Sequence, residues 1–366
     1  MMALTKFKLG DLIELVDERN SGGIKNFYGV NINKEFMPTV ADTSNLNEKK
    51  YKVVRKNRFV FSGMQTGRDK CIRISLYQDD EPIIVSPAYF TFEISATDKI
   101  LSEYLFMFFQ SKEKDRLGWF FSDSSVRSNL DWNVFCDIEI QLPPIEIQKK
   151  FVAVYNSMLA NQKIYERGLD DLKLVCDGYI DKIKHTAKKF QLGKFICKRN
   201  ERYFGNKKLP ICGVSREGLI PAKKYSEATN QIFYKDDFIF NPARMELNSI
   251  GLNRTYEKGL CSTSYEIFFV TDKEKILPEY LNLFVKRNEF ARFCDFISMG
   301  SVREIFSFSE MCEVEIPIPD IKIQKSISEI YSVYQVRKKL AEELKLQLKN
   351  ICPILIKGSL NEGERS

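Results

Sequence analysis

Leu142-Pro143-Pro144-Ile145-Glu146-Ile147-Gln148 returns 176 residues later as Ile318-Pro319-Asp320-Ile321-Lys322-Ile323-Gln324. The same interval of 176 separates Ser125-Val126-Arg127 from Ser301-Val302-Arg303, and Cys136 from Cys312. It carries back to Ser86/Ser262 and Tyr104/Tyr280, and forward to Tyr155/Tyr331. An interval held over so many positions marks an internal repeat. One module present twice offers two similar surfaces, which suits a two-part target.

Each copy opens alike. Residues 7–10 and 190–193 both read Phe-x-Leu-Gly, and Arg19-Asn20 is matched by Arg199-Asn200. The interval is 183 and then 180 here, so small insertions separate the copies near their starts. Residues 51–61, 82–94, 231–240 and 259–270 read as β stretches broken by turn residues. Residues 104–109 and 280–285 read as short buried helices. Each module closes on an alternating stretch and a proline turn, at 136–144 and 312–319.

After each turn the period changes. Phe151, Tyr155, Met158, Gln162, Tyr165, Leu169, Leu172, Cys176, Tyr179 and Ile183 follow a 4,3,4,3 spacing. That is a heptad seam, and it predicts an unbroken helix over 147–184. At roughly 1.5 Å per residue it would be about 57 Å long. Ile327, Tyr331, Tyr334, Ala341, Leu344, Leu348 and Ile351 form a second, slipped seam, which Pro353 is expected to kink or end. Two such stripes pack most simply on each other, and the repeat makes them antiparallel.

The expected fold is therefore α+β: two globular domains in pseudo-twofold repeat, separated by two long antiparallel coiled-coil helices. The expected boundaries are 1–146 for the first domain, 147–187 for the central helix and 188–322 for the second domain. The C-terminal helix is expected at 323–358 and a tail at 359–366.

Composition bounds the function. The 366 residues are 44% hydrophobic and 13% aromatic, which fits globular folding. No apolar run approaches the roughly 20 residues of a membrane span, and no signal-like segment opens the sequence, so a cytoplasmic protein is expected. Nine scattered cysteines without a C-x-x-C pair argue against a disulfide framework or a cysteine zinc site. The single histidine, His185, sits near the end of the predicted helix, where a polar or positive residue suits the carbonyl end. Net charge is +7, yet residues 1–147 carry −2. This balance permits nucleic-acid binding without demanding it.

Catalytic signatures are missing. The chain has no phosphate loop, no G-x-G-x-x-G turn, no H-E-x-x-H and no G-x-S-x-G. Asn241-Pro242-Ala243-Arg244 begins like an amino-methyltransferase turn but lacks its closing aromatic residue. Asp42, Glu48 and Lys50 form an acidic-basic cluster no denser than chance spacing supplies.

What remains reads as a binding surface. Residues 62–68 form a glycine-bracketed loop carrying Gln65, Thr66 and Arg68. Its counterpart carries Asn241, Arg244, Asn253 and Arg254. Arg can bridge guanine, and Asn or Gln adenine, through two hydrogen bonds each. The same residues also suit ordinary turns with solvated cations. Arg127 and Arg303 fit either a shared DNA contact or a shared structural salt bridge.

The chain resembles the specificity subunits of type I restriction–modification systems over nearly its whole length. The resemblance rests on Lys8-Leu9-Gly10-Asp11-Leu12-Ile13-Glu14, on Met64-Gln65-Thr66-Gly67-Arg68, on residues 237–244 and on the two proline turns quoted above. It implies that each globule is a target recognition domain reading one half of a split site in double-stranded DNA. The helices would set the gap between the halves. It implies a chain without catalysis or cofactor of its own. Two methyltransferase subunits would methylate adenine N6 with S-adenosylmethionine, and restriction/translocase subunits would cleave DNA with ATP and Mg2+. The faces around Tyr165 and Tyr334 are the expected partner surface. The alternatives are a coiled-coil scaffold or adaptor, a specificity subunit whose partner fuses cutting and methylation, and an enzyme centred on Asp42 or Asn241.

Overall fold

A computed structural model of the chain describes every residue except 1–3, 41, 44–45, 124, 126–127, 206–207, 223–228, 299–304 and 366. The chain divides into two compact units. The first holds Met1–Ile164 with Leu340–Ser366, and the second holds Tyr165–Lys339.

In the first unit, strands Ile13–Leu15, Phe90–Ile94, Phe59–Ser62 and Arg73–Leu76 pair antiparallel in that order. Alternate residues of a strand share a face. Phe59 and Phe61 therefore point together into the core, where Phe59 stacks on Phe92 at 4.9 Å and Phe61 on Phe135 at 4.2 Å. Burying each such ring contributes roughly 1.5–3 kcal/mol. A second sheet runs in the order Phe36–Pro38, Phe27–Val30, Ile83–Val85, Lys52–Val54 and contains one parallel pairing. Thr5–Lys8 pairs with Glu139–Leu142 and ties the start of the copy to its end.

The second unit repeats the frame. Strands Ile196–Arg199, Glu266–Val270, Phe238–Phe240 and Ile250–Leu252 form the antiparallel sheet, with Phe238 stacked on Phe268 at 4.9 Å. Lys189–Gln191 pairs with Glu315–Pro317. Where the first unit has its second four-stranded sheet, this unit has two separate two-stranded ones.

The four stretches expected as β each hold two strands that belong to different sheets. The chain turns between them; Asn57 and Asp236, both at φ 68°, make two of these turns. Asn and Asp tolerate that left-handed conformation better than most side chains.

The repeated residues have packing reasons. A Cβ on Gly10 would lie 3.0 Å from Cys136 Cβ, and one on Gly193 would lie 2.8 Å from Cys312 Cβ. Gln148 is fully buried and donates to Lys99 O at 2.7 Å and Pro143 O at 2.9 Å, while its Oε1 accepts from Leu101 N at 3.2 Å. Gln324 is likewise buried, donates to Lys275 O at 2.8 Å and Pro319 O at 2.9 Å, and accepts from Leu277 N at 2.9 Å. A buried amide survives only when its groups are paired, and here the module supplies the same partners twice.

The helices differ from the sequence expectation in three ways. The predicted single helix over 147–184 is two, Ile145–Glu166 and Leu169–Thr186. Gly168 between them adopts φ 75°, a conformation that costs glycine little. After this break the buried stripe is Cys176, Ile180 and Ile183, while Tyr179 turns outward. The expected tail is helical over 359–365: Ile321–Arg365 runs through Pro353. Cys352 and Leu355 beside that proline are buried in the first unit's core, which offsets a kink cost of roughly 3 kcal/mol. Ser359 hydrogen-bonds Tyr104 Oη at 2.7 Å, and Lys150 pairs with Glu362 at 2.7 Å.

Within each unit the helices run antiparallel. In the first, Phe151 meets Gly358 while Tyr155 meets Cys352. In the second, Arg337 donates to Arg167 O at 3.0 Å and Tyr331 sits beside Cys176.

Candidate functional site

In the first unit, strand Phe59–Ser62 runs into a tight loop and the short helix Thr66–Asp69. Gln65 and Lys70 flank that helix in left-handed conformation, at φ 62° and 51°. Gly63 admits no side chain, because a Cβ there would lie 1.9 Å from Leu130 O. The segment that follows the Ser-Val-Arg repeat is stitched onto this loop. Leu130 N donates to Gly63 O at 2.8 Å, Gly67 N to Ser128 O at 2.9 Å and Gln65 N to Asn129 Oδ1 at 3.1 Å.

The second unit uses the same plan with a different sequence. Strand Phe238–Phe240 runs into Asn241, whose Oδ1 accepts from Ala243 N at 3.1 Å and caps the 3-10 turn Pro242–Leu247. Phe306 N donates to Pro242 O at 2.9 Å, which parallels the Leu130–Gly63 bond. Asn248, left-handed at φ 58°, is buried and donates to Val285 O and Arg287 O at 3.2 and 3.3 Å.

Among the residues singled out from sequence, Arg68 is 59% exposed, with Nη2 donating to Gln65 Oε1 at 2.6 Å and Nε bonded to Asp69 at 3.0 Å. Burial pushes the Asp69 carboxyl up, but hydrogen bonds from Arg68 and Arg73 outweigh it and hold the carboxyl below its ordinary range. Gln65 is partly exposed, so Gln65 and Arg68 present one coupled polar surface. Arg244 is exposed, and its backbone (φ −144°) departs from the helical turn.

Three expected readers are otherwise engaged. Thr66 is fully buried and donates to Gly63 O at 2.9 Å, so its hydroxyl braces the loop. Asn253 is buried, donating to Tyr234 O at 2.8 Å and Tyr256 O at 2.7 Å while accepting from Thr255 N and Tyr256 N. Asn and Asp side chains favour such local backbone bonding, and this one is spent on it. Arg254 is shared between Asp236 and Glu279, and Asp236 also takes Lys273 at 2.7 Å. Burial raises the Asp236 carboxyl, but the Lys273 and Arg254 bonds lower it further, so the aspartate stays charged and compensates Arg254. Arg127 and Arg303 lie outside the described residues.

Sequence reading passed over the helices packed against these loops. Lys112–Phe120 adjoins Thr66–Asp69: Gly118 lies so close that a Cβ would be 3.4 Å from Thr66 Cγ2. Lys70 Nζ sits 4.4 Å from the Trp119 ring centre. Met245 of the 3-10 turn is buried in one core with Phe290 and Cys294 of Asn288–Ser298. These helices hold no run or motif that stands out, so only folding reveals their place. Among the described residues no group of three His, Cys, Asp or Glu is placed to hold a metal, and no helix is long and apolar enough to cross a membrane.

The family model described as the type I restriction modification DNA specificity domain matches residues 3–168 and 188–350. In structure the chain is similar to the type I restriction-modification S subunit from M. genitalium, at 12% identity and TM-score 0.67, over 98% of this chain and 96% of that one. It is less similar to the HsdS subunit from Thermoanaerobacter tengcongensis, at 14% identity and TM-score 0.36, over 98% and 96% of the two chains. A structure described as the basis of complex assembly and conformational transition of the type I R-M system gives 14% identity and TM-score 0.43, over 98% of each chain. No curated protein matches in sequence. With two copies of the domain spanning most of its length, the chain belongs to the family of type I restriction modification DNA specificity proteins.

Proposed function

We propose that this chain reads a two-part site in double-stranded DNA, one part per unit, and delivers that choice to partner subunits. One observation carries the reading. Each unit builds a strand-to-loop platform, joined by a matching backbone bond to the segment after the Ser-Val-Arg repeat, and each platform presents an exposed arginine, Arg68 or Arg244. The frame is shared while the loop sequences differ, as two modules reading two different words require. Exposed Arg and Gln can bond base edges.

On this reading the chain has no reaction of its own and works in the cytoplasm. Two methyltransferase subunits supply adenine-N6 methylation from S-adenosylmethionine. Restriction/translocase subunits supply ATP- and Mg2+-dependent cleavage. The partly exposed, stacked Tyr331 and Tyr334, and Tyr165, belong to the surface offered to the methyltransferase. A partner that fuses methylation and cutting would use the same surfaces.

The test is to co-express the chain with its methyltransferase, map the methylated adenines, and footprint the assembled complex on the mapped site. Two protected half-sites at a fixed spacing are expected. Uniform affinity for unrelated duplexes would remove the reading. Methylation or cleavage by the purified chain alone, lost on changing Asp42 or Asn241, would replace it with an enzyme.

A further inference from the structure

The helices flanking the two platforms carry the same exposed pair. Arg116 and Phe120 stand four apart on Lys112–Phe120, and Arg292 and Phe296 stand four apart on Asn288–Ser298. Both pairs lie 176 residues from their counterparts. Residues four apart share one helix face. Phe120 is 80% exposed and Phe296 72%, and both arginines are exposed. Single exposed apolar residues are ordinary. A phenylalanine held in water at the same place in both copies, one helical turn from a cation, is not explained by either unit's core.

The surroundings name the occupant. Gly67, one residue before Arg68, lies so close to Ser122 that a Cβ there would sit 3.3 Å from Ser122 Cβ, and Ser122 lies two residues after Phe120. Lys70 adds a cation over Trp119. In the second unit the helix bearing Phe296 shares its core with the turn that bears Arg244. Apolar rings bordered by arginine and lysine, beside the loops proposed above to contact bases, match duplex DNA: cations meet phosphates, and a ring can enter between base pairs. Proteins that bend DNA use Phe in this way, unstacking one step to bring more surface into contact.

We propose that Phe120 and Phe296 are wedges, one per half-site, each opening a base step, with Arg116 and Arg292 holding the adjacent phosphates. This rests on the DNA reading above. It adds that each half-site is deformed, and that part of the specificity comes from how easily its steps unstack.

The test uses the complex assembled with its methyltransferase subunits and duplexes bearing the mapped site, with 2-aminopurine placed in turn along each half. The wild-type complex should raise fluorescence at one step in each half. Phe120→Ala should abolish the rise in the first half only and weaken binding roughly tenfold. Phe296→Ala should do the same in the second half, and Phe120→Leu should keep most of the signal. Because both rings are exposed, the variants should fold and assemble as wild type does. Wild-type-like fluorescence and affinity in both alanine variants overturn the wedge alone. Loss of methyltransferase assembly in Phe120→Ala overturns it too, and assigns the ring to a protein interface. A wild-type complex that binds all duplexes alike overturns the DNA reading together with it.

Discussion

Tyr155 and Cys352 share the core of the first unit, and they come from opposite copies of the repeat. Their counterparts, Tyr331 and Cys176, meet in the second unit with the copies exchanged. Each unit is therefore completed by the end of a helix belonging to the other copy's module. Tyr104 shows how the copies adapt within this plan. Its hydroxyl bonds Ser359, whereas Tyr280, whose matching neighbour would be Ile183, donates to Pro317 O at 2.7 Å instead.

Leu348, Cys352 and Leu355 near the end of the last helix are thus part of the first unit's core. Leu355→Ala removes a buried side chain packed there and is expected to cost about 2–4 kcal/mol. Hydrogen exchange should show lost protection in residues 1–164, and chemical denaturation should show the lower stability. Unchanged protection would mean that this helix end is dispensable.

Gln148 and Gln324 hold their turns by satisfying three backbone groups each. Substituting either by Leu keeps the volume and leaves those groups buried without partners, at about 1–3 kcal/mol for each one not rescued by water. The expected outcome is a marked loss of stability in both variants, measured by denaturant unfolding. A near-neutral Gln324→Leu would show that the repeat at this position is not a folding requirement.

Lys286 gives the second unit a specific pH response. Its ammonium donates to Arg216 O at 2.8 Å, and burial pulls its pKa from 10.5 down to about 8. Between those values the unfolded chain holds a proton that the folded chain has released, so stability from this group rises with pH. Below about 8 the cost of the buried charge is present in full. Wild type should therefore gain stability relative to Lys286→Met as pH rises from 8 to 10.5. A constant difference across that window would contradict the burial.

The arginines at the loops should separate by environment. Arg68→Ala and Arg244→Ala are each expected to cost about 1–3 kcal/mol of binding at one half-site and leave the other unchanged. Arg254→Ala, whose charge is already matched by Asp236 and Glu279, should change binding little. Asn253→Ala should lower stability rather than alter sequence preference. Half-site competition assays with the assembled complex distinguish these outcomes, and equal loss at both halves for Arg68→Ala would refute its assignment.

Much was legible before folding. The interval of 176 exposes two copies, because a shared frame needs the same cysteine and glutamine at its packed positions. The helix ends depart from expectation because the heptad seam runs on past Gly168, where the helix breaks, while Pro353 signals a stop that the fold overrides. Packing around Cys352 and Leu355 decides the second case, and a sequence window does not contain it. Residue type alone does not say that Thr66 and Asn253 bond their own backbone, or that exposed Arg254 is paired with Asp236 and Glu279.

By itself, the sequence determined the duplication, the α+β alternation, the helical stripes and the family. These depend on periodicity and short-range stereochemistry, which are written in order along the chain. Only tertiary structure decided that Arg254 is matched by two carboxylates and that each unit borrows the other copy's helix end. It alone packed the helix bearing Arg116 and Phe120 against the loop bearing Arg68. Those relations depend on contacts between residues tens to hundreds of positions apart, where burial and hydrogen-bond satisfaction, not local pattern, set which groups remain available.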